Sequence, residues 1–257
     1  HFFKSINLHD YYIEGFLRRG AFGKVMEGYR MADNLPVRRI PSYFLPPTCP
    51  NIIRLLDWTE TASVYIMVIE RPFFCQDLSD FMHSQGGKLS EPVAKCFFKQ
   101  ITEAVQYCHF KGVFHNDVKK ENILVVTGTF QLKLIDFGCG FFLKDTEYSG
   151  HRFLYNTFRA IPSTVWTLGV NLFEMVSGFL PFSSIDDILR NTPPFLFGIS
   201  EECRDLIKCC LTFDSNQRPC LEDLLPCPGK QFRNLNWFDL VYNWHGYLNE
   251  LRSSLQL

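Results

Sequence analysis

Two short segments carry the residue types that phosphoryl-transfer chemistry requires. Asp117 can accept the proton of an acceptor hydroxyl, and Asn122, five residues later, can bind Mg²⁺ through its amide oxygen. Lys119 lies between them, where its ammonium group can contact a transferring phosphate. Asp136, which begins the tripeptide DFG, offers a second hard oxygen ligand for magnesium. Because phosphoryl transfer needs mainly an aligned hydroxyl and cations over the phosphate oxygens, these side chains can supply its chemistry.

The elements that must position these side chains are predicted to be two short strands joined by a turn. Residues 124–126 are apolar, residues 132–135 are apolar except for Lys133, and Gly128 lies between the two stretches. A DFG tripeptide alone is common by chance, but this arrangement between the two acidic residues makes the combined pattern specific. Near the start of the chain, residues 18–25 read RRGAFGKV, and glycines in such a loop let the backbone approach a phosphate closely. The sequence therefore predicts a nucleotide site.

The composition indicates a globular protein with a full core. The chain has 257 residues, 46% of them hydrophobic, and a net charge of -1, which gives no reason to expect nucleic acid or a membrane surface as partner. No apolar run reaches the roughly 18 residues of a membrane-spanning helix. The ten cysteines form no C-x-x-C pair, and most lie in apolar periodic stretches, among them Cys96, Cys108 and Cys209. We therefore expect reduced, buried thiols in a monomer of the cytoplasm, with the nucleus as an alternative location.

The residue pattern changes along the chain from strand-like to helix-like. From Tyr12 to about Arg71, β-branched and aromatic runs alternate with turn residues, and residues 65–69 form a short apolar strand. From Asp77 onward the apolar spacing is helical. Helices are predicted in three places, at residues 90–112, 163–178 and 201–211. The pattern predicts an α+β protein with two lobes joined near residues 70–72.

These motifs resemble the Pim group of serine/threonine protein kinases over about residues 11–225. The stretches that are similar to this group specifically are DNLPV at 33–37, IRLLDW at 53–58, ERP at 70–72, QDL at 76–78, ENIL at 121–124 and LKLIDFG at 132–138. The resemblance implies a bilobal protein-kinase fold, with a small, mostly-β N-lobe at about residues 11–70 and a larger, mostly-α C-lobe at about residues 73–228. It also implies Mg·ATP as cofactor and serine or threonine in a basic protein sequence as acceptor. Asp80 and Glu121 look like acidic positions that face a basic peptide, although each can equally be an ordinary solvated carboxylate.

The resemblance further implies which residues meet the nucleotide. The Glu70 backbone C=O is expected to accept a hydrogen bond from adenine, whereas Pro72 has no N–H and removes a second such bond. Val25 is expected above the adenine ring and Leu124 below it. The other implied nucleotide-binding residues are Gly20, Phe22, Gly23, Asp77 near the ribose, and Asp136.

The N-lobe departs from the family pattern where the phosphates are expected. Residues 37–40 read VRRI in place of Val-Ala-x-Lys, so Ile40 takes the position of the phosphate-binding lysine. Because strand side chains alternate, Arg38 shares a face with residue 40 and takes the alanine position above adenine. Lys24, just after the glycine loop, is an alternative source of positive charge. Four prolines in residues 41–50 exclude the helix that carries the lysine's glutamate partner in the family.

Two more departures lie downstream. Asn116 stands where the family has an arginine that commonly receives an activation-loop phosphate. Residues 155–162 are shortened and lack the family's Pro-Glu pair, which leaves Arg218 without its expected glutamate partner. If Arg218 is buried it must find other acceptors, because an unpaired buried charge is costly.

The resemblance ends near residue 228, so the kinase-like domain is predicted to span residues 11–228. Residues 229–257 form an amphipathic C-terminal extension. Its apolar residues repeat at helical intervals: Trp237, Leu240, Val241, Trp244, Tyr247, Leu248 and Leu251. The expected role of this helix is to cover the larger lobe, and the alternative is to bind a partner.

These observations support two functional hypotheses. The first is a serine/threonine protein kinase with Asp117 as proton acceptor, Lys119 on the γ-phosphate, and Asn122 and Asp136 as metal ligands. Its activity is expected to be weak, because Ile40 cannot compensate the charge of the transition state. The second is a catalytically inactive pseudokinase that acts as a protein-binding scaffold.

Overall fold

A computed structural model gives the fold and describes residues 10–20, 23–32, 35–39, 49–60, 65–152 and 155–225. These residues form two compact units. The first contains the described residues up to Leu78 together with Tyr107–Leu143. The second contains Ser79–Gln106 together with the described residues from Lys144 onward.

The first unit begins with a five-stranded antiparallel sheet. Its strands are β1 (Tyr11–Gly20), β2 (Gly23–Arg30), β3 (Leu35–Arg39), β4 (Leu55–Glu60) and β5 (Tyr65–Glu70). They are arranged in the order β1-β2-β3-β5-β4. β5 is the predicted apolar strand extended by one residue, and Ile66, Met67, Val68 and Ile69 in it are all buried. β-branched and aromatic side chains pack well on such a pleated surface, which explains why this part of the chain is mostly β.

Short strands complete the first unit. They are β6 (Cys75–Asp77), β7 (Val113–Phe114), β8 (Ile123–Val126), β9 (Gln131–Leu134) and β10 (Phe141–Phe142). β6, β8 and β9 form one sheet in that order, and β7 pairs with β10. The Leu134 N–H donates to the Asn51 C=O, and the Ile53 N–H donates to the Leu134 C=O, so β9 is fixed to the segment before β4. The predicted strand–turn–strand after Asn122 is therefore confirmed.

Helices dominate the rest of the described chain. They are α1 (Leu78–Ser84), α2 (Glu91–Phe110), α3 (Ala160–Ser177), α4 (Ile185–Arg190) and α5 (Glu201–Cys210). The three predicted helices correspond to α2, α3 and α5. α3 begins three residues before the predicted start, because a proline in the first turn, Pro162, loses no intrahelical hydrogen bond. It ends at Gly178, whose φ of 86° is left-handed.

The amphipathic face predicted for α2 is the buried one. All six of its apolar residues are almost fully buried: Ala94, Phe97, Ile101, Ala104, Val105 and Cys108. The ring of Phe97 packs on that of Phe81 from α1, with centroids 5.7 Å apart. α3 and α5 approach closely at Gly169, where an added Cβ would lie 2.6 Å from the Cβ of Cys210. Among the described helices, none has both the length and the apolar character needed to cross a bilayer.

The segment before α3 forms a hairpin that the sequence did not predict. Its strands are β11 (Tyr148–Arg152) and β12 (Tyr155–Phe158). The rings of Tyr148 and Phe158 stack across it with centroids 5.6 Å apart. The Tyr148 hydroxyl accepts a hydrogen bond from the Lys144 N–H at 2.9 Å. The shortened segment is therefore folded on itself by cross-strand contacts.

The prediction of buried thiols is right for four of the nine described cysteines and wrong for two exposed ones, Cys209 and Cys220. None of the nine described cysteines forms a disulfide, and Cys96 and Cys108 are buried. Cys209 is exposed instead. The apolar face of α5 is made by Cys203, Leu206, Ile207 and Cys210, and helical geometry turns position 209 away from it.

Some predictions fall outside the described residues. They include the absence of a helix in residues 40–48 and the amphipathic helix of residues 229–257. Residues 49–54, which lead into β4, contain no helix. The limits proposed for the two lobes and for the kinase-like domain stay predictions.

Candidate functional site

Three predicted site residues meet around one carboxylate oxygen. The Asn122 Nδ2 donates to the Asp117 backbone C=O at 2.9 Å and to Asp117 Oδ2 at 2.8 Å. The Lys119 Nζ lies 2.8 Å from the same Oδ2. The Asn122 N–H donates to the Lys119 C=O at 2.8 Å, which closes the short 3₁₀ turn between them. The loop therefore gathers a proton acceptor, an ammonium group and an amide at one point.

This cluster is charged and open to solvent. The hydrogen bond to Asp117 is the main reason that the pKa of Lys119 is raised above its ordinary value, so the ammonium form persists at neutral pH. About a third of the Asp117 side chain and half of the Lys119 side chain are exposed. An incoming hydroxyl and a phosphate can thus both reach the cluster.

His115 holds the loop around Asp117 in place through both nitrogens of its ring. Its Nδ1 accepts the Asp117 N–H at 3.3 Å, so Nε2 carries the proton and donates to the Ile135 C=O at 3.0 Å. The ring packs edge-on against Phe137, with centroids 4.5 Å apart. Burial lowers the pKa of His115 to about 4, so the imidazole is neutral at physiological pH.

Asn116 ties the same loop to the segment after Asp136. Its backbone has a left-handed φ of 66°, a conformation that asparagine tolerates better than most residues. Its Nδ2 donates to the Cys139 C=O at 3.0 Å. Where the family has an arginine, this chain therefore uses an amide to hold the 3₁₀ turn Phe137–Cys139.

Asp136 is brought next to Asn122 through the backbone. The Ile135 N–H donates to the Asn122 C=O at 2.9 Å, so the residue that precedes Asp136 is hydrogen-bonded to Asn122. Asp136 has a left-handed φ of 62°, and its Oδ1 accepts the Gly138 N–H at 3.2 Å. The side chain is therefore oriented locally.

The chemistry of these donors fits a magnesium ion. Asn122 uses Nδ2 toward Asp117, which leaves its amide oxygen for a cation, and Asp136 keeps one carboxylate oxygen beyond its bond to Gly138. Within the described ranges, no group of three or more His, Cys, Asp or Glu side chains could hold a metal by itself. A Mg²⁺ ion held here would take its remaining ligands from water and substrate phosphates, as this ion commonly does.

The residues expected near adenine and ribose lie on strands of the same unit. Asp77 on β6 and Leu124 on β8 are direct cross-strand partners. Leu124 is also the cross-strand partner of Lys133 on β9. Glu70 ends β5, and its Oε1 lies 2.6 Å from the Lys133 Nζ. The structure thus connects the expected adenine-accepting residue to the strands that carry Asp77 and Leu124.

The glycine-loop residues close the first hairpin. Gly20 and Gly23 pair at the ends of β1 and β2, and Phe22 between them lies outside the described residues. Val25 is buried, whereas its neighbour Lys24 is exposed. Because neighbouring strand residues face opposite ways, Lys24 points away from the face that carries Val25. The structure gives no support to Lys24 as a replacement for the missing lysine.

The register of β3 locates the altered strand. Residue 38 pairs with Glu27 on β2 and with Ile69 on β5. Glu27 follows Val25 by two positions and so lies on the same face of β2. The register therefore pairs residue 38 with a residue of the Val25 face. Residue 40, the position where a lysine is expected, lies outside the described residues.

Two ion pairs near Glu70 escaped the sequence analysis. One is the Glu70–Lys133 pair, and the other joins the Arg71 Nη2 to Glu27 Oε2 at 2.6 Å. The sequence signals neither, because the partners are far apart along the chain and each charge looks like an ordinary surface residue. The described predicted site residues and both ion pairs all belong to the first compact unit.

In the second unit, Arg218 has found other acceptors, as the sequence required. It donates from Nε to the Thr212 C=O at 2.8 Å, from Nη1 to the Pro162 C=O at 2.8 Å and from Nη2 to the Phe213 C=O at 3.1 Å. Its guanidinium also stacks over the Trp166 ring at 4.8 Å. Backbone carbonyls and an aromatic face thus replace the missing glutamate.

Comparisons with known proteins agree with this site. A family model described as "Protein kinase domain" matches residues 43–228. Serine/threonine-protein kinase pim-2 of Danio rerio is 40% identical over 261 residues, covering 85% of this chain and 84% of the relative. Serine/threonine-protein kinase prk-2 of Caenorhabditis elegans is 35% identical over 270 residues, covering 91% of this chain but only 61% of the relative.

A more distant relative widens the range. Probable serine/threonine-protein kinase MARK-A of Dictyostelium discoideum is 30% identical over 256 residues, covering 85% of this chain and 24% of the relative. The sheet-rich N-terminal part and helix-rich C-terminal part agree with the predicted bilobal α+β fold. The chain therefore belongs to the protein kinase family, and within it to the Pim-like serine/threonine kinases.

Proposed function

We propose that this chain transfers the γ-phosphate of Mg·ATP to serine or threonine in basic protein sequences, at a low rate. One observation carries the proposal: Asn122 and Lys119 both contact the Oδ2 of Asp117. A carboxylate held by an amide and an ammonium group is fixed in position before any substrate arrives. Fixed positioning is the main contribution that a protein makes to phosphoryl transfer.

Each residue of the cluster has a distinct part in the proposed reaction. The Asp117 carboxylate orients the acceptor hydroxyl and takes its proton as the new O–P bond forms, while the bond from the γ-phosphorus to the β–γ bridging oxygen breaks and ADP leaves. Lys119 turns from Asp117 toward the transferred phosphate and offsets its charge. Asn122 and Asp136 would hold Mg²⁺, which when bound neutralises negative charge on the nucleotide phosphates.

The low rate is proposed from the N-terminal part of the chain. Residues 37–40 read VRRI, so the usual lysine for the α and β phosphates is replaced by Ile40. Exposed Lys24 lies on the strand face opposite Val25. Without a replacement cation, transition-state charge is less well stabilised, and removal of one such group commonly lowers the rate about 100-fold or more.

The proposed acceptor follows from family membership and from surface charge. Asp80 on α1 and Glu121 within the catalytic loop (residues 115–122) are both exposed, which suits recognition of a basic peptide. The roles proposed for Asp80 and Glu121 concern the choice of substrate, not the fold. A monomer acting in the cytoplasm or nucleus is proposed with them.

The test is transfer of labelled γ-phosphate from Mg·ATP to an arginine-rich serine peptide. Wild type should give a weak signal, and Asp117→Asn should lower it about 100-fold or more, because the amide cannot accept the proton. Asp205→Asn is the matched control, since this exposed carboxylate pairs with nearby Lys208 in the second unit. It should leave the rate unchanged.

The same assay distinguishes the proposed kinase from the pseudokinase alternative. Folded wild-type protein with no signal above Asp117→Asn would make this chain a pseudokinase that serves as a protein-binding scaffold, which the VRRI sequence favours. The double substitution Ile40→Lys with Arg38→Ala should strengthen ATP binding. An unchanged ATP affinity in that variant would contradict the alignment of β3 with the family strand.

A further inference from the structure

Consecutive residues at the end of β5 are held by ion pairs that reach to different strands. Glu70 Oε1 lies 2.6 Å from the Nζ of Lys133 on β9. Arg71 Nη2 lies 2.6 Å from Oε2 of Glu27 on β2. The segment that follows β5 is thereby fixed both to β9 and to β2.

The Glu70–Lys133 pair is the more shielded of the two. Only 12% of the Lys133 side chain and 19% of the Glu70 side chain are exposed. Glu70 Oε1 also accepts the Arg54 N–H at 3.0 Å, and the Glu70 N–H donates to the Arg54 C=O at 2.9 Å. Both the side chain and the backbone of Glu70 are therefore fixed, and removal of Lys133 would leave this shielded carboxylate with the longer, more exposed contact to Arg54, whose Nε lies 3.9 Å from Glu70 Oε2.

The Glu27–Arg71 pair is more open. The exposed fractions are 26% for Glu27 and 30% for Arg71, so water and salt weaken this pair more than the first. Glu27 follows Val25 by two positions on β2 and so lies on the same strand face. This pair therefore sets the position of that face of β2 relative to the chain just after Glu70.

The strands joined in this way, together with β8 that pairs with β9, carry the three expected adenine contacts. Val25 lies on β2, the Glu70 backbone C=O ends β5, and Leu124 on β8 is the cross-strand partner of Lys133. Pro72 has no N–H to offer, so the Glu70 C=O is the main polar anchor for the base. Any displacement of Glu70 would weaken that anchor directly.

We propose that these two ion pairs form a frame that sets the spacing of the adenine contacts, so that Lys133, Glu27 and Arg71 are positioning residues for the base. The inference rests on the adenine site of the proposed function but not on phosphate transfer. In a chain whose phosphate lysine is replaced, preorganised base recognition carries a larger share of nucleotide affinity.

The test measures binding of adenosine, which has no phosphate, by isothermal titration calorimetry. Lys133→Met should weaken binding about tenfold, because a preorganised contact is lost. Lys133→Arg keeps the charge and should stay within about threefold of wild type, whereas Glu27→Gln should weaken binding about threefold, as expected for a more solvent-screened pair. Lys99→Met breaks an exposed ion pair with Glu103 on α2 and should change nothing.

The outcomes distinguish positioning of the adenine contacts from a general effect on folding stability. Circular dichroism shows which variants fold. If Lys133→Met does not fold, Glu27→Gln and Arg71→Met decide the question, because their partly exposed pair is less important for folding. Wild-type adenosine affinity in the folded variants, or no adenosine binding by the wild type, would overturn the inference. Adenosine binding that depends on the frame in a chain without phosphate transfer would instead reject only the proposed catalysis.

Discussion

This chain lacks two charged side chains of the family pattern, the arginine at position 116 and the glutamate partner of Arg218, and it compensates for them differently. In the catalytic loop, Asn116 replaces an arginine and donates one hydrogen bond to the Cys139 C=O. In the second unit, Arg218 remains while its expected glutamate is gone, and it donates to three backbone carbonyls. In both cases the side chain donates to backbone carbonyls rather than to a charged group.

The difference lies in how much structure depends on each substitute. Asn116 holds a local turn, through a residue 23 positions away. Arg218 joins the loop after α5 to Pro162 in the first turn of α3 and covers Trp166. A neutral amide can be lost at modest cost, whereas a charged donor with three acceptors organises a region. The catalytic loop can therefore tolerate the change at 116 more readily than the second unit could tolerate a change at 218.

The largest expected effect is from Arg218→Met. This substitution leaves three carbonyls without their charged donor and removes the stacking on Trp166, so unfolding free energy should fall by about 3 kcal/mol or more. Urea unfolding followed by tryptophan fluorescence measures the change. Lys208→Met, which breaks an exposed pair with Asp205, should change it by no more than about 0.5 kcal/mol. Equal effects of the two variants would show that Arg218 does not organise its surroundings.

Lowering the pH is expected to have an intermediate effect on stability, through His115 in the catalytic loop. The pKa of His115 is about 4 when folded, against about 6.5 for an unperturbed histidine, so the unfolded chain binds the proton first as pH falls. Stability should therefore be full above about pH 6.5 and decline toward pH 4, with His115 accounting for about 2 kcal/mol between pH 7.5 and pH 5. Burial also lowers the pKa of His109 to about 4, so a second decline of the same sign adds to it.

Urea unfolding at several pH values tests this contribution. His115→Gln should remove roughly half of the decline, while the decline from His109 remains. His83→Gln, at an exposed position on α1, is the control and should leave the pH dependence as it is. A decline that is unchanged in His115→Gln would mean that this imidazole is protonated in the folded protein.

The smallest effect is expected at Asn116. Asn116→Gly keeps the left-handed backbone without strain and removes the side-chain hydrogen bond to the Cys139 C=O, so the loss should be about 1 kcal/mol. Asn116→Ala adds the backbone strain of φ 66° and should lose about 1 kcal/mol more. Thermal unfolding of the two variants side by side gives both values. If Asn116→Gly were as stable as wild type, the hydrogen bond from the Asn116 side chain to the Cys139 C=O would contribute nothing to stability.

The sequence by itself determined the parts of the molecule whose partners are close along the chain. The spacing of Asp117, Lys119 and Asn122 indicated their chemistry, and their hydrogen bonds span five residues or fewer. The helices α2, α3 and α5 were predictable because the 3.6-residue period of their apolar faces is a local signal. At Arg218 the sequence predicted that new acceptors were required but not which ones.

Only the tertiary structure decided which distant charges meet. Lys133 and Glu70 are 63 positions apart, and Arg218 and Pro162 are 56 apart. Nothing in the pattern around Lys133 distinguishes it from a lysine that faces solvent. The β11–β12 hairpin was missed because cross-strand packing, not local propensity, holds it. The spacing of residues along one helix or strand can be read directly from the sequence. Long-range pairing depends instead on how separate strands are brought together when the core is buried.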